Sequence, residues 1–223
     1  MKLIGLMGNR KSGKDTFIDM VHKIYPDLII QRIAFADRLK KICSKLFNID
    51  LVYFIEQELK EKNFTIKIFG FEFKKSKRFS YQTYEKLINI LKTEDNIELT
   101  AFQKYCLRQY IGRKFSTPRA MLQCIGTDIL RDIVNKNFHV NTVKDFIKRH
   151  KDFVDFIFVS DVRFLNEADL IKEQNGKIIK ILRDTTDIGN HQSDTALLNI
   201  PYDAVIDNNG SLNDYLEQIV SLI

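Results

Sequence analysis

The sequence predicts a doubly wound α/β fold built on a five-stranded parallel sheet. Five short apolar runs recur along the chain, at residues 2–7, 28–35, 153–160, 177–182 and 203–206. They are nearly continuous rather than alternating, as strands covered on both faces are. Segments of helical periodicity separate them, the alternation that builds a parallel sheet. The first run leads straight into a glycine-bracketed loop and then a helix, an arrangement found at ligand-binding edges of such sheets.

That loop reads Gly8-Asn9-Arg10-Lys11-Ser12-Gly13-Lys14-Asp15-Thr16. Phe17, Ile18, Met20, Val21 and Ile24 behind it share one helical face. Strand, glycine loop with lysine, then helix is the context of a phosphate-binding loop. Glycines at 8 and 13 permit backbone angles that a side chain forbids. The loop amides can then converge on phosphate oxygens, helped by the positive end of the helix dipole. Lys14 would bridge the terminal phosphates of a nucleoside triphosphate. Asp15 stands where the general pattern has a magnesium-holding Ser or Thr, and Thr16 follows one later. The alternative, a glycine-rich turn beside a solvated basic cluster, does not explain the flanking strand and helix.

The remaining elements follow in order. Residues 50–115 break the strand–helix rhythm and read as an inserted lobe within a single 1–223 domain. There, 51–59 is expected to be helical, 64–73 to form a hairpin bending at Gly70, and 84–91 to be helical. Thr100 opens a helix through Phe102, Tyr105, Cys106 and Tyr110. Thr117 caps a helix with Pro118 in its first turn, continuing through Met121, Leu122, Ile125, Ile129, Leu130 and Ile133. Ser211 opens a last helix with Leu212, Leu216, Ile219 and Val220 on its apolar side.

With 223 residues, 44% hydrophobic and 29% charged, the composition is that of a globular domain. No stretch suits a membrane span or a signal peptide, and Cys43, Cys106 and Cys124 lack metal-ligand spacing. A cytoplasmic protein without membrane partners is expected. The net charge of +6 fits polyanionic small molecules or nucleic acid. Much of the excess lies in Lys60, Lys62, Lys67, Lys74, Lys75, Lys77 and Arg78. Charge alone is weak evidence for nucleic acid, so small-molecule nucleotides are the expected partners.

Three further constellations carry chemistry. Asp161 follows the apolar run 156–159, with Arg163 and Glu167 close behind. An acid at the carboxyl end of a buried strand either orients magnesium or caps the following helix. Arg119, Gln123 and Thr127 recur at four-residue spacing, one face of a helix. Arg119 can grip a phosphate and Gln123 a base edge, or the stripe is simply a solvated face. Gly126 inside that helix permits close approach of a ligand or another backbone. Arg183 ends a strand and opens a polar loop, 184–195, that reads as a lid able to close over phosphates; His191 within it is equally a structural histidine.

Together these residues resemble the bacteriophage-type deoxynucleoside monophosphate kinases. The resemblance is carried by Gly13-Lys14-Asp15-Thr16, Ala34-Phe35-Ala36-Asp37 with Leu39-Lys40, and Thr117-Pro118-Arg119 with Leu122-Gln123, Gly126-Thr127 and Arg131. It continues in Asp161-Val162-Arg163-Phe164 with Asn166-Glu167-Ala168, in His191 with Ser193 and Asp194, and in Asn208 with Gly210-Ser211-Leu212. It is thin over residues 50–115. It implies a nucleoside-monophosphate-kinase-like P-loop fold, ATP and magnesium as cofactors, phosphorylation of a deoxynucleoside monophosphate, and often a homodimer. It implies that Lys11, Ser12, Gly13, Lys14, Asp15 and Thr16 hold ATP, with Asp15, Thr16 and Asp161 on the magnesium side. Arg10, Ala36, Asp37, Lys60, Arg119, Gln123, Gly126, Thr127, Phe138, Asp161, Arg163 and Glu167 would face the acceptor. Lys14, Arg10, Arg163 and Arg183 would stabilise the transferring phosphoryl group. The residues alone leave open another small-molecule P-loop kinase (phosphomevalonate or dephospho-coenzyme A type), a nucleic-acid-stimulated P-loop ATPase, and a nucleotide sensor without turnover.

Overall fold

The computed structural model describes residues 1–69, 71–184 and 200–223. The chain forms two compact units: residues 1–35 with 140–223, and residues 36–139.

The first unit holds the sheet. Its strands are β1 (Lys2–Met7), β2 (Ile30–Ile33), β7 (Phe156–Val159), β8 (Lys177–Leu182) and β9 (Ala204–Asp207), in the order β2-β7-β1-β8-β9. All four pairings are parallel. The doubly wound expectation holds, and alternation along the strands explains it. Leu3 and Met7, Ile157 and Val159, and Ile178 pack on one face with Val140, Val143 and Ile147 of α8 (Phe138–His150) and with α9 (Leu165–Glu173). Ile4 and Leu6, Phe156 and Phe158, and Ile179 and Ile181 pack on the other, with α1 (Lys14–Ile24) and the last helix, α10 (Leu212–Leu222). With both faces covered, apolar residues fill successive strand positions.

β2 and β7 are shorter than the apolar runs 28–35 and 153–160. Their ladder spans only Ile30↔Phe156 to Ile33↔Val159, and the residues beyond leave the sheet. The last helix also differs from expectation. Tyr215 and Ile219 are buried, whereas Leu212 and Val220 are 65% and 48% exposed. The helix is rotated so that Tyr215 faces inward.

The second unit is mainly helical. It contains α2 (Asp37–Phe47), α3 (Val52–Ile55), α4 (Gln57–Glu61), α5 (Tyr81–Glu94), α6 (Ala101–Arg108) and α7 (Pro118–Gln123). The helix expected over 51–59 is two short ones, because Glu56 between them is extended (φ −72°, ψ 130°). A hairpin pairs β3 (Thr65–Ile68) with β4 (Phe71–Lys74), and β5 (Lys77–Arg78) pairs with β6 (Lys114–Phe115). Gly70 lies outside the described residues. Ser80, Thr100 and Thr117 cap α5, α6 and α7 through their side-chain oxygens. Leu39, Ile42 and Cys43 of α2 meet Tyr84, Leu87 and Leu91 of α5 in its core.

The helix starting at Pro118 does not stay α-helical. From Cys124 to Val134 it widens into π-helical turns, and Asn135 N donates to Leu130 O five residues back at 2.9 Å. The four-residue stripe of Arg119, Gln123 and Thr127 therefore does not continue as one α-helical face. Wide turns of this kind are rare and recur at functional sites.

Candidate active site

In the first unit, the carboxyl ends of β1 and β7 bring the candidate residues together. β1 ends at Met7 and the chain turns through the glycine loop into α1. Gly13 precedes the helix with φ 103°, and a Cβ there would run into Asn208 Nδ2. Glycine is required on both counts. Lys11 is left-handed as well, at φ 58°.

The loop is anchored from the far end of the chain. Asn208 Nδ2 donates to Ser12 O at 2.8 Å, and Tyr215 Oη donates to Gly13 O at 3.0 Å. Ser12 is fully buried. Burial pushes the Tyr215 hydroxyl's pKa upward, so it stays protonated as a donor. Arg183 Nη1 reaches Lys11 O at 3.5 Å.

Lys14 folds over the loop. Its Nζ donates to Gly8 O (2.9 Å), Asn9 O (2.7 Å) and Ser12 Oγ (3.2 Å). Burial, then the charge of Arg163, lowers its pKa to about 8, against the opposing pull of Asp15 and Asp161. Two cations are thus held within electrostatic reach of each other, a configuration that an anion between them would relieve.

The β7 end supplies the acids. Ser160 N donates to Ile33 O at 3.0 Å and Val162 N to Leu6 O at 3.2 Å, fixing the turn between β2 and β1. Asp161 Oδ1 accepts from Phe35 N at 2.6 Å. Phe164, not Asp161, stands at the N-cap position of α9. The helix entry is instead satisfied by Glu167, whose Oε2 accepts from Arg163 N (2.7 Å) and Phe164 N (3.1 Å).

Glu167 is 5% exposed, and burial with the nearby Asp161 charge raises its pKa from 4.5 to about 8. The folded chain keeps this proton up to about pH 8, whereas the unfolded chain releases it near 4.5. Between those values the unfolded state binds fewer protons, so stability falls as pH rises, and levels off above them. Glu167→Gln is expected to remove a pH 5 to pH 8 stability loss on the order of 2–4 kcal/mol. Thermal melts of metal-free wild type and variant at both pH values check this.

Two residues that touch the candidate site carry no sequence signal of their own. Tyr215 reads as one more residue on an amphipathic helix, and no local signal ties it to a loop 202 positions earlier. Arg32 lies inside an apolar run. Its Nη2 pairs with Asp15 Oδ1 at 2.7 Å and its Nε donates to Ser160 Oγ at 3.3 Å. Thr16 is exposed in the first turn of α1, and Arg10 and Arg163 are half-buried.

The remaining candidates lie in the second unit. Asp37 opens α2 and accepts from Lys40 Nζ at 2.7 Å, directly after Ala36. Arg119 Nε donates to Glu61 Oε1, and Lys60 is half-buried beside it in sequence on α4. Gln123 ends α7, and Thr127 lies in the wide turns, half-buried. The close neighbour of Gly126 is Leu39, whose Cδ2 would stand 2.5 Å from an added Cβ. His139 Nε2 is 3.2 Å from Gly126 O. Phe138 is 3% exposed within the unit's core, edge-on to His139. The lid expected at 184–195, with His191, Ser193 and Asp194, lies outside the described residues except for Asp184.

A five-stranded parallel sheet whose first strand feeds a glycine–lysine loop, with an acid and an arginine at the neighbouring strand end, defines an α/β P-loop kinase of the nucleoside-monophosphate type. The profile of the deoxynucleotide monophosphate kinase family matches residues 53–219. A putative deoxynucleotide monophosphate kinase of Acanthamoeba polyphaga mimivirus is 31% identical over 241 aligned residues, covering 100% of this chain and 96% of that protein. The deoxynucleoside-5′-monophosphate kinase of Escherichia phage T5 is 28% identical over 183 residues, covering 78% of this chain and 72% of that protein. The chain belongs to the deoxynucleotide monophosphate kinase family and is an enzyme, a nucleotide kinase. Among the described residues no helix is long and apolar enough to cross a membrane.

Proposed function

We propose that the enzyme transfers the γ-phosphoryl group of ATP directly to a deoxynucleoside 5′-monophosphate, giving the diphosphate and ADP. The observation that carries this reading is the pair of cations at the glycine loop: Lys14, bonded over the loop carbonyls, and Arg163, close enough to lower its pKa.

The loop amides and Lys14 bind the triphosphate. Arg163, with Arg10, holds the phosphate of the acceptor, and Arg119, Gln123 and Thr127 are assigned to the acceptor by their motif. An acceptor phosphate oxygen attacks the γ-phosphorus; the new O–P bond forms as the bond to the β,γ-bridging oxygen breaks, and the electron pair leaves with ADP. No protein nucleophile is needed. Catalysis is positioning and charge stabilisation, and Arg183, already at Lys11 O, adds positive charge there.

Thr16 and Asp161 offer hard oxygen donors of the kind magnesium takes. Among the described residues no group of three or more His, Cys, Asp or Glu forms a metal cage, which suits an ion held largely by phosphates and water. Magnesium would neutralise charge on the triphosphate. Asp15, assigned to the same side by resemblance, is engaged by Arg32.

A coupled ADP-release assay with each deoxy- and ribonucleoside monophosphate tests the reading. Turnover is expected with at least one deoxynucleoside monophosphate and none with phosphomevalonate or dephospho-coenzyme A. ADP release indifferent to every monophosphate overturns it.

A further inference from the structure

We propose that Arg32 is a positioning residue of the triphosphate site, which neutralises and immobilises the carboxylate of Asp15 immediately after the loop lysine. The inference rests on the triphosphate reading above and adds to it a residue that the glycine loop does not itself contain.

Asp15 occupies the first turn of α1, one position after Lys14. A carboxylate there has two opposed effects. It favours the positive helix N-terminus, and it repels any phosphate that the same N-terminus attracts. Arg32 resolves the conflict. It rises from β2, beside β7, and makes two contacts. Nε donates to Ser160 Oγ at 3.3 Å, and Nη2 pairs with Asp15 Oδ1 at 2.7 Å. Ser160 itself is held in place, being 4% exposed and bonded through its backbone N–H to Ile33 O at 3.0 Å.

Fold stability does not account for this pair. The Arg32 and Asp15 side chains are 49% and 69% exposed, and such a surface pair contributes only about 0–1 kcal/mol. Its consequence is local charge. Asp15 is among the carboxylates whose charge acts on the Lys14 ammonium. With Arg32 present, the guanidinium and carboxylate sum to zero. Without it, an uncompensated negative charge stands next to Lys14 and competes with phosphate for it.

Calorimetric titration of ATP into the full chain, as a double-mutant cycle, tests the assignment. Arg32→Ala is expected to weaken ATP binding about fivefold to tenfold, the effect of one unscreened charge a few ångströms away. In the Asp15→Asn background the same Arg32→Ala change is expected to alter affinity by less than about twofold, because no charge remains to mask. Arg32→Lys keeps the charge and is expected to keep most of the affinity. Added salt narrows the difference between wild type and Arg32→Ala. Arg32→Gln repeats the cycle if the alanine variant does not fold. An Arg32→Ala affinity within about twofold of wild type overturns the role of Arg32 while leaving the triphosphate reading intact. The same loss in both Asp15 backgrounds also overturns it, since Arg32 would then act on the ligand or the fold directly. Absence of ATP binding by the wild type overturns the triphosphate reading itself, and this inference with it.

Discussion

Lys14→Ala is expected to lower kcat about 10²- to 10³-fold, the loss that follows removal of one preorganised group aimed at developing charge, while the protein stays folded. The fold should survive because, among the described residues, Lys14 Nζ bonds only within the loop, at Gly8 O, Asn9 O and Ser12 Oγ. The loop is held independently, by Asn208 at Ser12 O and by Tyr215 at Gly13 O. The charged ammonium is moreover disfavoured where it sits, since burial and Arg163 lower its pKa to about 8. Its deletion removes that penalty along with the three bonds. Circular dichroism melts should therefore shift by only a few degrees, on the scale of about 1 kcal/mol. Steady-state kinetics with saturating monophosphate supplies the decisive measurement. Wild-type turnover in this variant would show that Lys14 does not serve the transferring phosphoryl group.

What could be read from the chain divides along one physical line. Features set by local sequence were legible. β1, β7 and β8 announce themselves as apolar runs because helices cover both sheet faces, so apolar residues fill successive positions of each strand, with Lys180 the half-buried exception inside β8. The glycine loop is legible because position 13, at φ 103° and closed to a Cβ by Asn208, must be glycine, and because its lysine follows directly. The caps at Thr100, Thr117 and Ser211 are likewise local. Features made by distant partners were not. Arg32 sits in a run that reads as strand, and nothing nearby says that its guanidinium meets Asp15. Tyr215 is inward because it must reach Gly13 O, which turned the expected apolar face of the last helix away from Leu212 and Val220. The widening at Cys124–Val134 left no mark in a pattern of apolar residues that fits α spacing equally well. Glu167 is a candidate by its motif, yet its helix-capping bonds to Arg163 N and Phe164 N appear only when the turn after β7 is built.

Arg163→Ala is expected to separate the two substrates. The Arg163 backbone is fixed by Glu167, so truncating the side chain leaves the turn after β7 in place. Its guanidinium lies near enough to the Lys14 ammonium to depress its pKa, so the fold holds two like charges together, a repulsion that bound anions would offset. If the triphosphate belongs to Lys14 and the loop amides, the second cation serves the second anion. Charge-assisted bonds to a phosphate contribute roughly 1.5–3 kcal/mol, so the acceptor KM should rise on the order of 10- to 100-fold. ATP affinity should change less than about threefold, because relief of the repulsion at Lys14 offsets the lost positive field. Removing the neighbouring cation should also let the Lys14 pKa climb above its present value of about 8. Titration of each nucleotide separately into wild type and variant gives the two affinities. Equal weakening of both would place Arg163 on the triphosphate and contradict the division of anions between the two cations.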